Sequence, residues 1–449
     1  MQPFRFYVIT DTHYFAHKLG CRGPAYEEFM EGEQKCFAET QAINEAALAW
    51  LAEAKDADTV LIAGDLSFNG EKESHLEFIQ LLKALKASGK RICVITAGHD
   101  FNEHPFCFDE NGRGEPEGTK REELFDLYYD YGFSEAIAVD RESLSYVAQL
   151  ADGLRLLALN NDGDENRRWV FTEAQTAWIK EQTRKAREDG QMMIAMTHYP
   201  LLPACPVWPL IGNCMNPDHE AVTTMLADEG VHLCFTGHMH NQSVKCKTTE
   251  AGNRFWDICT GSLIGDPASI RLVTVVSPET VRYETIPVPP FEWDMEGLTN
   301  EQYFRRQFDS MINNYLTYAK DDPTRLLGKL GMKNPSGAVV KIVGAMGKKI
   351  DRATVGSVCK FFHVKCDGSI KDRPLRELLL AIVRNIFAGN APYVEGTPEY
   401  DAVMGVLGRF SPILKIVKKK KGLDVQELVR QSIGHTGVDE YNGEIALLP

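Results

Sequence analysis

The stretch RFYVITDTH, residues 5–13, is a short run of aromatic and β-branched residues that ends in an aspartate and a histidine two positions apart. Such a run is typical of a buried strand. Because alternate residues of an extended segment point the same way, Asp11 and His13 can reach one common centre. The stretch therefore predicts a strand that carries a metal site at its carboxyl end.

The same alternation of short apolar runs and amphipathic segments continues to about residue 290 and predicts an α/β domain. Strands are predicted at 5–10, 59–63, 91–96, 154–160, 192–197, 233–236, 255–259 and 270–277. Helices are predicted between them, for example at 34–54, 72–88 and 172–189. Open α/β sheets place their sites at the carboxyl ends of the strands, so the residues that follow each strand are the candidates for function.

Acids and histidines follow four further predicted strands. They are Asp65 in AGDLSFNG, His99 and Asp100 in AGHD, His198 in MTHYP, and His238 and His240 in TGHMH. A single Asp-x-His or Gly-Asp is usually structural, but five such segments in this order indicate a shared site. Mixed carboxylate and imidazole ligands suit Mn, Fe or Zn. Two such ions about 3.5–4 Å apart form the clamp used for in-line displacement at phosphorus.

These segments resemble the calcineurin-like metallophosphoesterase superfamily, whose blocks run Asp-x-His, Gly-Asp, Gly-Asn-His-Asp/Glu, His and Gly-His-x-His. The resemblance covers residues 4–280 approximately, and it implies a four-layer α/β/β/α sandwich. GDLSFNG lacks the second acid and the arginine of the calcineurin-type protein phosphatases, and Phe68 stands where purple acid phosphatases have a tyrosine. The stretch is more similar to the bacterial group that includes class III cyclic-nucleotide phosphodiesterases and Ser/Thr-phosphatase-like proteins.

The resemblance also implies a site. Its ligand residues are Asp11, His13, Asp65 and His240 for a first metal ion, and Asp65, His198 and His238 for a second. His99, paired with Asp100, would stabilise the phosphoryl group or protonate the leaving oxygen. The implied activity is hydrolysis of phosphate esters by a hydroxide that two divalent or trivalent ions (Mn, Fe or Zn) activate. Two alternatives stay open: a phosphodiesterase for cyclic nucleotides or nucleic acid, and a metal-binding regulatory protein with weakened catalysis.

One position departs from the family pattern. Gly98 stands where the family has an asparagine that binds the second metal ion, and glycine has no side chain to offer. Water, the Gly98 carbonyl or another side chain could take the place. The candidate side chains in nearby loops are Asn69, Asn102, Asn160, Asn161 and Asp162. We expect a weakened second metal site.

Length and charge set the remaining expectations. The chain has 449 residues and a net charge of −14, which argues against broad binding to nucleic acid or anionic membranes. The proline-rich TIPVPPFEW, residues 285–293, predicts a boundary near 290 between a catalytic domain (1–290) and an α-helical cap or dimerisation region (291–449). We expect a cytoplasmic protein, on the absence of a leader or an apolar span. The expected partner is a small phosphorylated substrate, and a second copy of the chain is the partner that a dimerisation role of the helical region would require.

Overall fold

The computed structural model describes residues 2–163, 168–210, 214–332 and 334–448, with their side chains except those of residues 413, 416, 417, 420 and 421. The strands are β1 (Phe4–Ile9), β2 (Thr59–Ala63), β3 (Arg91–Ile95), β4 (Cys107–Asp109), β5 (Gly112–Gly114), β6 (Ala136–Asp140), β7 (Ser145–Ala151), β8 (Leu154–Leu159), β9 (Met192–Thr197), β10 (Val231–Thr236), β11 (Ser243–Thr248), β12 (Arg254–Cys259), β13 (Ser269–Ser277), β14 (Thr280–Pro287) and β15 (Gly443–Ala446). The α-helices are α1 (Pro24–Met30), α2 (Thr40–Glu53), α3 (Lys72–Ala87), α4 (Leu124–Leu127), α5 (Glu173–Glu188), α6 (His219–Asp228), α7 (Asn300–Asp321), α8 (Pro323–Lys329), α9 (Gly337–Arg352), α10 (Val355–Phe361), α11 (Leu375–Ala388), α12 (Pro398–Gly408), α13 (Ser411–Lys421) and α14 (Val425–Ile433).

Two large sheets carry the fold. One has the order β15-β14-β13-β1-β2-β3 and the other the order β11-β12-β10-β9-β8-β7-β6. Strands β1 to β3 are parallel, as are β8, β9, β10 and β12. Parallel neighbours end at the same edge of a sheet, so the loops after β1, β2, β3, β9 and β10 collect in one place.

The two sheets pack face to face, and helices cover their outer faces. Along β10, Leu233 and Phe235 point into the core between the sheets, whereas Cys234 packs with the outer helices α5 and α6. The ring of Phe6 on β1 meets the ring of Phe235 at 5.4 Å between centroids. Helices α2 and α3 cover the other sheet, for example through Leu51. This is the predicted four-layer α/β/β/α sandwich, which is confirmed.

The chain beyond residue 290 is mainly helical, as predicted. Helices α10, α11, α12 and α14 share a small apolar core, and α7 packs along α9 and α11. The assignment of this region as a separate domain with a boundary near residue 290 stays a prediction. No helix in the described part of the chain is long and apolar enough to cross a membrane.

The C-terminal residues of the chain return to the six-stranded sheet and add a strand to it. The sequence analysis did not predict this strand. Strand β15 pairs antiparallel with β14. The preceding turn is tied to the sheets by Arg271, whose fully buried guanidinium donates to the carbonyls of Glu440 (2.8 Å) and Cys259 (3.1 Å). The helical region is therefore anchored at both of its ends.

The predicted elements are present, with one helix wrong at its start. The eight predicted strands lie within two residues of observed ones. The helix predicted from residue 34 begins only at Thr40, and the residues before it are irregular: Gln34 donates to the Asp266 carbonyl (3.2 Å), and the Cys36 N–H donates to the Ile264 carbonyl (2.9 Å). Strands β4, β5, β6, β7, β11 and β14 were also missed. Of these, β6 and β11 lie at the edges of the seven-stranded sheet, where strands with an exposed face are less apolar.

Candidate metal centre

The six predicted metal ligands meet at the carboxyl edge of the parallel strands. Their potential ligand atoms fall into groups that lie within 4.8 Å of one another. The groups are Asp11 with His13 and His240, His13 with Asp65 and His99, and Asp65 with His198 and His238. His13 and Asp65 each belong to two groups, so the three groups form one continuous centre.

In each aspartate, one carboxylate oxygen accepts hydrogen bonds from neighbouring protein groups and the other points toward the centre. Asp11 Oδ2 accepts hydrogen bonds from the backbone N–H of His238 (2.9 Å) and the hydroxyl of Thr10 (2.8 Å). Asp65 Oδ1 accepts from the backbone N–H of His99 (3.1 Å). The other oxygen of Asp65 lies 2.9 Å from His198 Nε2 and 3.8 Å from His13 Nε2. Asp65 would therefore contribute to both ligand groups.

The imidazoles are oriented by bonds at their outer nitrogens. His198 Nδ1 lies 2.7 Å from the Ala63 carbonyl, and His240 Nδ1 lies 3.2 Å from the side-chain oxygen of Gln34. Donation at Nδ1 leaves the Nε2 lone pair directed at the centre, which is the arrangement of metal-binding histidines. His13 Nε2 and His240 Nε2 are 3.2 Å apart. Gln34 was missed by the sequence analysis because it was placed in a helix.

The backbone is strained at these positions. Positive φ values occur at Asp11 (50°), His13 (37°), Asp65 (52°), His238 (68°) and His240 (52°). Residues other than glycine rarely adopt positive φ values, and each instance costs of the order of 1–3 kcal/mol. Five of the six candidate ligands therefore hold a conformation that the surrounding fold must enforce, which is typical of a functional site.

The electrostatics keep the carboxylates ionised. Burial acts to raise the pKa of Asp11 and Asp65, but the neighbouring imidazoles, led by His240 and His198, hold both pKa values well below the usual range. Burial also acts to lower the pKa of His198, but Asp65 and Asp11 overcome it and raise this pKa to about 10, so that without metal the imidazole holds a proton at Nε2 that a bound cation would replace. Burial lowers the pKa of His13 well below its ordinary value. The centre concentrates negative charge that suits a cation.

The donor set fits metal ions on a structural criterion. Asp11 Oδ1 and His198 Nε2 are buried, and the polar atoms that approach them belong to the cluster itself: His240 Nε2 lies 3.3 Å from Asp11 Oδ1, and Asp65 Oδ2 lies 2.9 Å from His198 Nε2. Among the described residues neither atom is committed to a hydrogen bond outside the cluster, so both would be available to a cation. This donor chemistry suits Mn, Fe or Zn.

His99 lies at the rim of the centre, and its predicted pairing with Asp100 is wrong. The ring of His99 stands 4.7 Å from that of His13, and His99 Nδ1 lies 2.6 Å from the Phe68 carbonyl. The Asp100 carboxylate instead accepts three backbone N–H bonds of 2.7–2.8 Å, from Leu66, Ser67 and Ala97. Asp100 thus joins the loops after β2 and β3, because its two oxygens are both occupied by backbone donors.

The space beside Gly98 is filled by two aromatic side chains. A Cβ at residue 98 would lie 2.5 Å from a ring carbon of Trp169 and 2.8 Å from the hydroxyl of Tyr199. The two rings stack at 4.7 Å, and the ring of Tyr199 lies 4.2 Å from that of His238. Glycine is therefore required here by close packing. Sequence reasoning missed Trp169, which comes from a loop distant in the chain.

The five side chains considered as substitutes for the asparagine are placed differently. Asn160 donates to the carbonyl and hydroxyl of Thr96 (3.0 and 2.7 Å), and Asn102 accepts from the backbone of His104 (3.0 Å). Asn69 lies in the loop that precedes α3. Asn161 and Asp162 each keep one buried polar atom without a partner among the described residues. Asp162 also forms an ion pair with Arg121 at 2.9 Å.

A buried glutamate near the centre predicts a pH effect on stability. Burial raises the pKa of Glu71 to about 7, and Glu71 Oε1 has no hydrogen-bond partner in the described chain. Because the pKa of Glu71 is higher in the folded than in the unfolded protein, protonation of Glu71 stabilises the fold. This stabilisation is complete below the unfolded-state pKa of 4.5 and is lost as the pH rises through the folded-state pKa of about 7. Glu71→Gln removes this loss, so the melting temperature of the variant relative to that of the wild type should rise from pH 5 to pH 8.

Thermal unfolding at pH 5, 6, 7 and 8 checks this expectation. The difference in unfolding free energy between variant and wild type should grow by about 1–3 kcal/mol over this window. Glu292→Gln, at an exposed position, is the control and should follow the wild type. A Glu71→Gln curve parallel to that of the wild type would show that Glu71 is ionised throughout.

A family model for calcineurin-like phosphoesterases matches residues 4–242. The chain belongs to this family, and the match contains all six candidate ligands, His99 and Asp100. It is a metallophosphoesterase, a hydrolase that acts on phosphate ester bonds. A search of curated proteins gave no match.

Solved structures with a similar fold include three phosphoester hydrolases. A dimetal phosphatase from Danio rerio is 16% identical, with 64% of this chain and 99% of that chain covered and a TM-score of 0.45. A purple acid phosphatase from yellow lupin is 14% identical, with 65% and 52% covered and a TM-score of 0.41. An NAD nucleotidase from Haemophilus influenzae is 11% identical, with 79% and 62% covered and a TM-score of 0.36.

Proposed function

We propose that this protein hydrolyses a small phosphorylated substrate at a centre of two metal ions, Mn, Fe or Zn. The observation that carries the proposal is the continuous cluster of three ligand groups, which share His13 and Asp65. Asp11, His13, Asp65 and His240 would hold one ion, and Asp65, His198 and His238 the other. Two bound ions supply charge for the phosphoryl oxygens and acidify a water molecule near neutral pH.

The residues around the metal ligands have distinct roles in this proposal. Gln34 and the Ala63 carbonyl fix the tautomers of His240 and His198, so that Nε2 of each is available. Asp100 is a positioning residue, since its carboxylate accepts hydrogen bonds from three backbone N–H groups and the Ser67 hydroxyl of the two loops beside the centre. Trp169 and Tyr199 exclude water from the side on which Gly98 lies.

His99 is the proposed acid for the leaving oxygen. Burial lowers its pKa, with Asp65 opposing and Lys35 adding to the effect, which favours the neutral imidazole. Donation from Nδ1 to the Phe68 carbonyl leaves Nε2 facing the site. An anionic substrate favours protonation of this nitrogen, because an opposite charge nearby stabilises the charged form. The proton can then pass to the departing alkoxide.

The test combines metal content with turnover. Elemental analysis of protein from Mn-supplemented medium should give two ions per chain, and the same protein should hydrolyse nitrophenyl phosphate faster than bis(nitrophenyl) phosphate. A preference for the diester would favour a phosphodiesterase. Bound metal without turnover of either ester would favour a metal-binding regulatory protein and overturn the proposal.

His99→Gln should lower kcat for nitrophenyl phosphate by about 10²-fold, since general acid catalysis contributes at least this factor. The reduction should be smaller for an ester with a more acidic leaving group, because that group needs less protonation. Metal content is measured in parallel and should be unchanged. His104→Gln, an exposed histidine paired with Glu115, is the matched control. Equal losses for all leaving groups would contradict an acid role.

A further inference from the structure

One face of helix α7 binds the segment between α1 and α2, here called the 31–39 loop (Glu31–Glu39). Residues 303, 307, 314 and 318 of α7 share this face, as the helical repeat requires. Three successive carbonyls of the loop accept side-chain hydrogen bonds from α7: Glu31 from Asn314 (3.0 Å), Gly32 from Tyr315 (3.2 Å) and Glu33 from Gln307 (2.9 Å). At the end of the loop, Tyr303 donates to Glu39 at 2.5 Å.

Beyond these three carbonyls the loop enters the metal centre. The side-chain oxygen of Gln34 lies 3.2 Å from His240 Nδ1, and its amide donates to the Asp266 carbonyl at 3.2 Å. Lys35 follows directly, and its backbone N–H donates to Glu33 at 3.0 Å. The α7 contacts thus fix the loop immediately before Gln34 and at Glu39, and Gln34 and Lys35 lie at the site in an irregular conformation between them.

Lys35 carries a nearly buried positive charge with few partners. Its side chain is 10% exposed, and its ammonium lies 3.5 Å from Glu33 and 4.7 Å from the centre of the Phe68 ring. Glu33 is its one ion-pair partner in the described chain. Burial of an ammonium is costly unless it is well paired. Such a residue beside a metal centre is placed to receive a further anion.

The ammonium is on the side of the centre where substrate would lie. Phe68, which Lys35 overlies, has its ring 6.0 Å from that of His13 and its carbonyl 2.6 Å from His99 Nδ1. The positive charge of Lys35 also contributes to the lowered pKa of both His13 and His99, as expected for a cation near them. Lys35 therefore faces the ligand His13 and the proposed acid His99 together.

We propose that Lys35 binds a phosphoryl oxygen of the substrate at the metal centre and that helix α7 positions it there through the 31–39 loop. The inference rests on the proposed function and deepens it, since it gives the site a charged contact for a phosphate group. It also gives the helical region a part in the active site. An ammonium is a strong point-charge donor to phosphate oxygens.

The first test measures the affinity for inorganic phosphate, the product, by calorimetry on the Mn-loaded protein. Lys35→Gln should weaken phosphate binding by roughly 10- to 100-fold, the usual range for a lost charged hydrogen bond. Lys35→Arg should recover part of the affinity because it restores the charge. Metal content, measured for each variant, should stay at the wild-type value, and KM should rise more than kcat falls.

Lys90→Gln is the matched control. Lys90 is buried to a similar degree, but its ammonium donates to the carbonyls of Ala54 (2.5 Å) and Ala57 (2.6 Å), at the opposite ends of the strands. This variant should lose stability and keep the phosphate affinity of the wild type. An equal loss of affinity in Lys90→Gln would mean that general damage to the fold explains the Lys35 result and would overturn the proposal.

The second test addresses helix α7. Gln307→Leu combined with Asn314→Leu removes two of the three bonds to the loop carbonyls and should weaken phosphate binding in the same direction as Lys35→Gln. Adding these changes to Lys35→Gln should cause little further loss, because coupled residues are not additive. Glu301→Gln, on an exposed part of α7, should behave as wild type. Full additivity would overturn the positioning role.

Failure of this proposal is distinguishable from failure of the proposed function. A wild-type protein that binds two ions but does not hydrolyse nitrophenyl esters overturns the proposed function, and phosphate affinity still reports on Lys35. An active wild type in which Lys35→Gln binds phosphate within twofold of normal overturns the Lys35 proposal alone. A wild type that binds no phosphate overturns it as well.

Discussion

Asp65→Asn is expected to lower turnover of nitrophenyl phosphate by about 10³-fold or more and to reduce the bound metal to one ion per chain or none. Asp65 Oδ2 lies 2.9 Å from His198 Nε2 and 3.8 Å from His13 Nε2, and Asp65 is the aspartate that belongs to two of the ligand groups. Amide oxygen carries no full charge and cannot bridge two cations as a carboxylate does. Loss of one ion removes several kcal/mol of transition-state stabilisation, and each 1.4 kcal/mol is about tenfold in rate.

Elemental analysis, turnover and thermal unfolding are measured on the same preparations. Asp257→Asn is the matched control, because Asp257 is equally buried but its carboxylate binds Leu201, Leu202 and Thr236 and belongs to none of the ligand groups. The control should lose stability and keep two ions. If Asp65→Asn retained both ions and its turnover, the bridging role of Asp65 would have to be abandoned.

Gly98→Asn, which restores the residue found in the family, is expected to damage the centre. The new Cβ would come within 2.5 Å of Trp169 and 2.8 Å of the Tyr199 hydroxyl, well inside normal contact distances. Overpacking of this kind costs about 1–3 kcal/mol of stability. Because Tyr199 packs on His238 at 4.2 Å between ring centres, its displacement should also weaken the second ion and lower turnover by about 10²-fold or more.

A second substitution separates steric from chemical effects. Gly98→Asn combined with Trp169→Ala frees the space and should recover the melting temperature and at least part of the second metal ion. Trp169→Ala alone shows the cost of removing the indole. If Gly98→Asn alone gained metal and activity, Trp169 and Tyr199 would have to move aside at little cost. The second site would then be weak only because it lacks a ligand at residue 98. Occupancy of that site stays a prediction until it is measured.

The fold and the ligand set could be read from local patterns. Strands such as Thr59–Ala63 are short, apolar and fully buried, and a polar motif follows each of them directly. Parallel strands bring such motifs together at one edge of each sheet, and the packing of the two sheets brings the two edges together. This is why Asp11, Asp65 and His198, far apart in sequence, were predicted to share a centre and do lie in one cluster.

The surroundings of the ligands could not be read in this way. Gln34 and Lys35 lie in a segment with helical periodicity, but α7, nearly 300 residues later, binds the carbonyls of residues 31–33, and the loop at 264–266 binds Gln34 and Cys36. The pairing of His99 with Asp100 was wrong because neighbours in sequence need not bond. Backbone donors from the loop after β2 occupy the Asp100 carboxylate instead.

The sequence by itself determined the class of fold, the family and the identity of the candidate ligands, because these depend on periodicity and on motifs that follow strands directly. Only the tertiary structure decided what fills the space beside Gly98, how His240 is oriented and where the charge of Lys35 lies. Those features come from contacts between segments distant in the chain, namely Trp169 against Gly98 and α7 against the 31–39 loop. Local patterns carry no information on such contacts, since they depend on how the packed layers bring the segments together.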